Sequence, residues 1–133
     1  MKRVFVDTSA LIAHLDADDP RHESVRETFA SLEDEELVTH GYVVAEAIAV
    51  TRRRLGTDAV IVLVDEILPA IDLLPVEPSV HGAVLARYRG SLPTGTSFVD
   101  HVSFTVMARE AIDVAFALDT DFEAAGFSLI PGE

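Results

Sequence analysis

A chain of 133 residues, 49% of them hydrophobic, is one domain's worth and can bury a core unaided, which argues against disorder. Without cysteine it has no disulfide framework, thiol nucleophile or thiolate metal site. Ten Lys and Arg against 23 Asp and Glu give a formal charge of −13, which excludes a general basic coat for nucleic acid or anionic lipid, so any such contact must be local.

The amino terminus reads Met1-Lys2-Arg3, then Val4-Phe5-Val6, and Asp7 closes this stretch before a signal-peptide core can form. Arg3 to Val6 reads as a strand and Thr8 to Leu15 as a helix, since Leu11, Ile12 and Leu15 recur at helical spacing. Pro20 opens a second helical pattern with Val25, Phe29 and Leu32 on one face, followed by a short Leu37-Val38-Thr39 strand. A helix is predicted from Tyr42 to Leu55, with Arg52, Arg53 and Arg54 offsetting its dipole and Gly56 as its left-handed stop. Another runs from Asp58 to Leu68 and ends at Pro69. Ile71 to Leu74 reads as a strand, Ser79 to Tyr88 as a helix, Gly90 to Gly95 as a loop, and Ser97 starts the next helix. Val114 to Leu118 is an apolar strand, Asp119 to Ala125 a helical turn and Phe127 to Ile130 a final strand.

This alternation predicts an α/β fold with a parallel sheet covered on both faces. No linker or repeat divides the chain, so residues 1–133 are read as one domain. A membrane helix needs roughly 20 nearly uncharged residues. Tyr42 to Val50 is interrupted by Glu46 and Ala59 to Val64 is too short, so the expectation is a cytoplasmic protein with no membrane contact.

Several familiar sites fail on spacing. Gly90 and Gly95 stand at P-loop distance, but Thr96 follows in place of the lysine. The five histidines show no zinc spacing, and Asp16, Asp18 and Asp19 lack the glycine and closing glutamate of a calcium loop. What remains is four acids placed after or within apolar segments: Asp7, Glu46, Asp100 and Asp119. Asp7 and Asp119 fall at carboxyl ends of predicted strands, the edge where open parallel sheets bind ligands. Glu46 has Tyr42, Val43, Ala49 and Val50 as its helical neighbours, and a lone carboxylate on an apolar face is expensive. Taken singly, Asp7, Asp100 and Asp119 are equally explained as helix caps, with Ser97 to Asp100 resembling a capping box. Together they would converge on one cleft. Two unit charges about 4 Å apart repel by roughly 4 kcal/mol at an effective dielectric of 20, so the cluster must take up protons or a cation. All-oxygen ligation favours Mg²⁺ or Mn²⁺.

On these residues the sequence resembles the PIN-domain ribonucleases and, within them, the VapC-type toxins of prokaryotic toxin–antitoxin pairs. The resemblance spans essentially the whole chain. It is carried by Val4 to Leu11, by Glu46, by Thr96-Ser97-Phe98-Val99-Asp100 and by Phe116 to Phe122. It implies a three-layer sandwich with a mainly parallel sheet of four to five strands. It also implies an acidic metal site of Asp7, Glu46, Asp100 and Asp119, supported by Thr8 and Ser97, with Asp121 as an auxiliary acid. The activity implied is endonucleolytic cleavage of RNA assisted by Mg²⁺ or Mn²⁺, leaving 5′-phosphate and 3′-hydroxyl ends. The implied partners are the RNA substrate, a small VapB-like antitoxin that brings an arginine toward the cleft, and a second copy in a homodimer. Arg52, Arg53 and Arg54 are candidate phosphate contacts, Arg53 lying seven residues beyond Glu46 on nearly the same helix face. The competing readings are a stand-alone ribonuclease in RNA processing and a non-catalytic binding module of the same fold. A phosphoaspartate protein is disfavoured because Ser9 stands where the phosphatase pattern needs an acid, and because Lys2 is the only lysine.

Overall fold

In a computed structural model, which describes residues 2–132, the β-branched and aromatic run Arg3–Val6 forms the central strand β1. Three of its four residues are buried, as expected of a strand covered on both faces. Helices α1 (Thr8–Leu15) and α2 (His22–Ser31) lead to β2 (Glu36–His40), and α3 (Gly41–Leu55) and α4 (Thr57–Val62) lead to β3 (Asp72–Leu74). Helices α5 (Pro78–Gly90) and α6 (Phe98–Arg109) cross to β4 (Val114–Phe116), and α7 (Asp121–Ala124) reaches β5 (Ser128–Ile130). The sheet order is β3-β2-β1-β4-β5 with every pairing parallel. Right-handed crossovers then place α1 to α4 on one face and α5 to α7 on the other. The predicted α/β sandwich is therefore the observed one, with five strands.

Phe5, Leu11, Leu63, Met107, Phe116 and Phe122 are fully buried around the sheet, and burial of each such side chain contributes about 1.5–3 kcal/mol. A second cluster, Val80, Val84, Val102 and Val106, fastens α5 to α6.

Three local predictions are modified. The helix expected from Asp58 to Leu68 is regular only to Val62; Leu63–Ile67 form a wider π turn in which Leu68 N–H reaches back to Leu63 O. Pro69 has no N–H for the carbonyl four residues earlier and crowds it, so the regular ladder cannot continue there. Strand β4 stops at Phe116 and not at Leu118, because Leu118 N–H turns to the Ser9 hydroxyl at 2.9 Å. Gly56 does end α3 at positive φ, but with φ 93° and ψ −177° it occupies a region open essentially to glycine alone rather than the left-handed helical one.

The connection from β1 runs toward β2, whereas β4 is reached from the opposite direction and lies against the other side of β1. The order therefore reverses between β1 and β4, and the crevice at their carboxyl ends is where such sheets accept ligands.

Candidate active site

Asp7 follows β1 directly and remains part of the sheet, since its N–H donates to Phe116 O at 3.0 Å. Its carboxylate caps α1: Oδ2 accepts from Ser9 N–H at 3.1 Å and from the Ser9 hydroxyl at 2.7 Å. The same hydroxyl accepts from Leu118 N–H, so one serine joins the ends of β1 and β4. Asp7 is only 4% exposed. Burial raises its pKa, the Ser9 hydrogen bonds oppose that, and Glu46 adds to the rise, with a net upward shift.

Beyond β4 the chain turns on Asp119, whose Oδ1 accepts from Asp121 N–H at 2.9 Å, and Asp121 opens α7. At α6, Ser97 Oγ accepts from Asp100 N–H at 3.0 Å. Only this half of the anticipated capping box forms. The Asp100 carboxylate makes no return bond to the helix start and instead lines the acidic cleft. Its pKa is pushed up to about 8 by burial first, then by the charges of Asp7 and Asp119, a side-chain hydrogen bond with Asp119, and the charge of Glu46.

Glu46 is brought in by α3, whose N-cap is unusual. His40, fully buried at the end of β2, accepts from Tyr42 and Val43 N–H through Nδ1 at 3.2 and 3.4 Å. Its Nε2 therefore carries the proton and donates to Ser103 Oγ at 2.9 Å, while the serine hydroxyl donates to Val99 O. Burial holds this imidazole neutral, with its pKa lowered to about 4.

These elements enclose one cleft of about 450 Å³ lined by Asp7, Thr8, Glu46, Ser97, Asp100, Asp119 and Asp121. Oxygens of Asp100, Asp119 and Asp121 lie within 4.8 Å of one another. Asp121, read from sequence as an auxiliary acid, is thus in the tightest group, while Asp7 and Glu46 face it from the same cleft. Two expectations are corrected. Arg52 and Arg53 are exposed and do not line the cleft; Arg54 does, because the cleft follows the i, i+4 ridge Glu46–Val50–Arg54 and not the i, i+7 line. Asp19, set aside with Asp16 and Asp18 because the run lacks a calcium-loop pattern, lines the cleft too. Ser9 was also missed, although a serine two residues after an aspartate at a helix start is a local capping signal.

Among the described residues the only ion pairs are Arg3–Glu110 and Arg26–Glu23, so no basic side chain pairs with any acid of the cleft. The Thr8 hydroxyl, buried at the cleft wall, also has no hydrogen-bond partner. An all-oxygen donor set, clustered carboxylates without a basic partner and an orphaned hydroxyl fit a hard divalent cation.

Residues 4–128 match the family model for the PIN domain. The chain belongs to the PIN-domain family. Among curated PIN relatives, it is 33% identical to the 23S rRNA-specific endonuclease VapC20 of Mycobacterium tuberculosis, over 93% of this chain and 95% of the relative. It is 41% identical to ribonuclease VapC26 of the same organism over 48% of this chain. The crystal structure of VapC20, described as a sarcin–ricin loop cleaving toxin, superposes with a TM-score of 0.83 at 30% identity, covering 93% of this chain and 95% of that one. The DNA-bound VapBC structure from Salmonella typhimurium matches at a TM-score of 0.70 and 15% identity, covering 97% of each chain, which supports the PIN fold alone.

Proposed function

We propose that this PIN domain, spanning residues 1–133, is a VapC-type endoribonuclease and the toxin of a toxin–antitoxin pair. In this reading Mg²⁺ or Mn²⁺ is held by Asp7, Asp100 and Asp119, with Glu46 and Asp121 beside them. The observation that carries it is the gathering of six carboxylates, Asp7, Asp19, Glu46, Asp100, Asp119 and Asp121, along one cleft with no ion pair to any of them among the described residues; burial beside these charges pushes the Asp100 pKa up to about 8. With Asp100 ionised, carboxylates no more than 4.8 Å apart repel by at least about 3.5 kcal/mol per pair at an effective dielectric of about 20, which a bound cation would offset.

When bound, the ion supplies Lewis acidity at a phosphate oxygen and activates water at neutral pH. The chain's own groups do the rest. Ser9 fixes the orientation of Asp7; Asp100 would hold the ion in its ionised form, its proton passing to solvent, the Thr8 hydroxyl would contribute a polar contact, and Arg54 would bind a phosphate oxygen along the substrate path. Likeness to VapC20 supports a ribosomal RNA loop as substrate. A charge of −13 supports a basic, arginine-bearing VapB-like antitoxin as the neutralising partner, and the absence of cysteine fits action in the cytoplasm. No helix among the described residues is long and apolar enough to cross a membrane.

The test is incubation of purified protein with 23S rRNA and Mn²⁺. Discrete fragments with 5′-phosphate ends are expected, lost on chelation and in Asp7→Asn at unchanged circular dichroism. Cleavage that survives both treatments contradicts the proposal.

A further inference from the structure

Glu46 lines two depressions. One is the acidic cleft; the other is an open, largely apolar hollow of about 500 Å³ formed with Tyr42, His81 and Phe98. Its rings form a braced array. Tyr42 and Phe98 stack with centroids 5.9 Å apart and planes at 24°. His81 meets both edge-on at 5.8 and 5.7 Å, and its Nδ1 lies 2.6 Å from the Tyr42 hydroxyl. Tyr88 packs edge-on against Phe98 from α5. The array is mounted on the site's own supports: Tyr42 lies one turn before Glu46 on α3, and Phe98 opens α6 two residues before Asp100.

Two considerations identify the occupant. A chain of charge −13, with Arg54 as the one arginine lining its cleft, cannot hold RNA mainly by pairing with phosphates. Affinity must come from uncharged contacts, and base-on-ring stacking is such a contact, tolerant of sequence and common where RNA loops splay their bases. The hollow also continues the cleft through Glu46, so a nucleotide flanking a phosphate held there arrives beside the rings. We propose that Tyr42, Phe98 and His81 form a stacking site for a nucleobase adjoining the scissile phosphate. This rests on the nuclease reading above. Leu85, exposed one turn along α5 from His81, makes a second copy of the chain the competing occupant.

The test uses a synthetic RNA hairpin of sarcin–ricin loop sequence, cut in Mn²⁺, and two versions of it that are abasic immediately 5′ or 3′ of the cut. Tyr42→Leu and His81→Leu are each expected to raise KM roughly tenfold on the intact hairpin with kcat changed less than twofold, whereas Tyr42→Phe, which keeps the ring and loses only the hydroxyl contact to His81, raises KM by less than either. On the hairpin lacking the stacked base, the same two variants change KM less than twofold, because the contact is already gone. His81 is exposed, so its variant reports even where a Tyr42 variant fails to fold. Equal losses on intact and both abasic hairpins overturn the inference, as does a wild-type dimer that Tyr42→Leu and Leu85→Asp both dissociate with no base-dependent change in KM. A hairpin that the wild type leaves whole rejects the substrate reading, and this one with it.

Discussion

His40 Nε2 lies 2.9 Å from Ser103 Oγ, and this one buried hydrogen bond ties the start of α3 to α6, the helices that carry Glu46 and Asp100. An imidazole is an uncommon N-cap. Here its second nitrogen spans to the neighbouring helix, which the usual serine or aspartate is too short to do.

His40→Ala removes the cap and leaves a cavity, at an expected cost of about 2–4 kcal/mol. His40→Asn keeps a capping acceptor and recovers part of that. Ser103→Ala leaves the buried Nε2–H unpaired and costs about 1–3 kcal/mol. Urea denaturation gives the order; wild-type stability in Ser103→Ala would show that the bond joining the helices is idle.

Asp100 must release its proton before it can ligate a cation, and that proton is held up to about pH 8. Apparent Mn²⁺ affinity should therefore rise with pH through neutrality and level off above about 8, with proton release at pH 7. Calorimetry in two buffers of different ionisation heat measures that release. A pH-independent affinity would remove Asp100 from the ligand set.

The metal-free protein should show the same group in its stability. Asp100 is protonated in the folded state up to about 8 against an ordinary carboxylate value of 3.8, so the folded state holds the extra proton and stability falls as pH rises between them. Asp7 acts with the same sign. His40, lowered to about 4 from 6.5, acts oppositely: its stabilisation is lost as pH falls through that window, and it is silent above 6.5. From pH 6.5 to 8 the net slope is downward, and Asp100→Asn should flatten it. Thermal melts with chelator across this range decide the matter.

Much of this site was legible because its residues break the pattern around them. Asp7 ends an apolar strand and Glu46 interrupts an apolar helix face, so a sequence read for burial already marks them. The closeness of Asp121 to Asp100 was not legible, because it depends on the Asp119 turn that starts α7, and no periodicity reports a turn's geometry. Which of Arg52, Arg53 and Arg54 lines the cleft was not legible, because helical spacing gives a face but not the direction in which a cleft crosses it. The sheet was legible from alternation, while the end of β4 was not, since it is decided by a hydroxyl 109 residues earlier in the chain.

Ser9→Ala tests that long-range hydroxyl. It leaves Leu118 N–H unpaired and strips Asp7 of a hydrogen bond that holds its pKa down. The expected result is a loss of about 1–3 kcal/mol in stability and a shift of the acidic limb of the cleavage profile to higher pH. An unmoved limb would mean that Ser9 serves the fold only.

In the proposed nuclease these acids converge to hold a divalent cation. Anomalous diffraction from a crystal soaked in Mn²⁺ tests it most directly. A manganese peak is expected in the cleft, in contact with carboxylates of Asp7, Asp100 and Asp119 and absent from Asp100→Asn crystals. No peak there at saturating manganese, with Asp7, Glu46, Asp100, Asp119 and Asp121 still gathered, would contradict it.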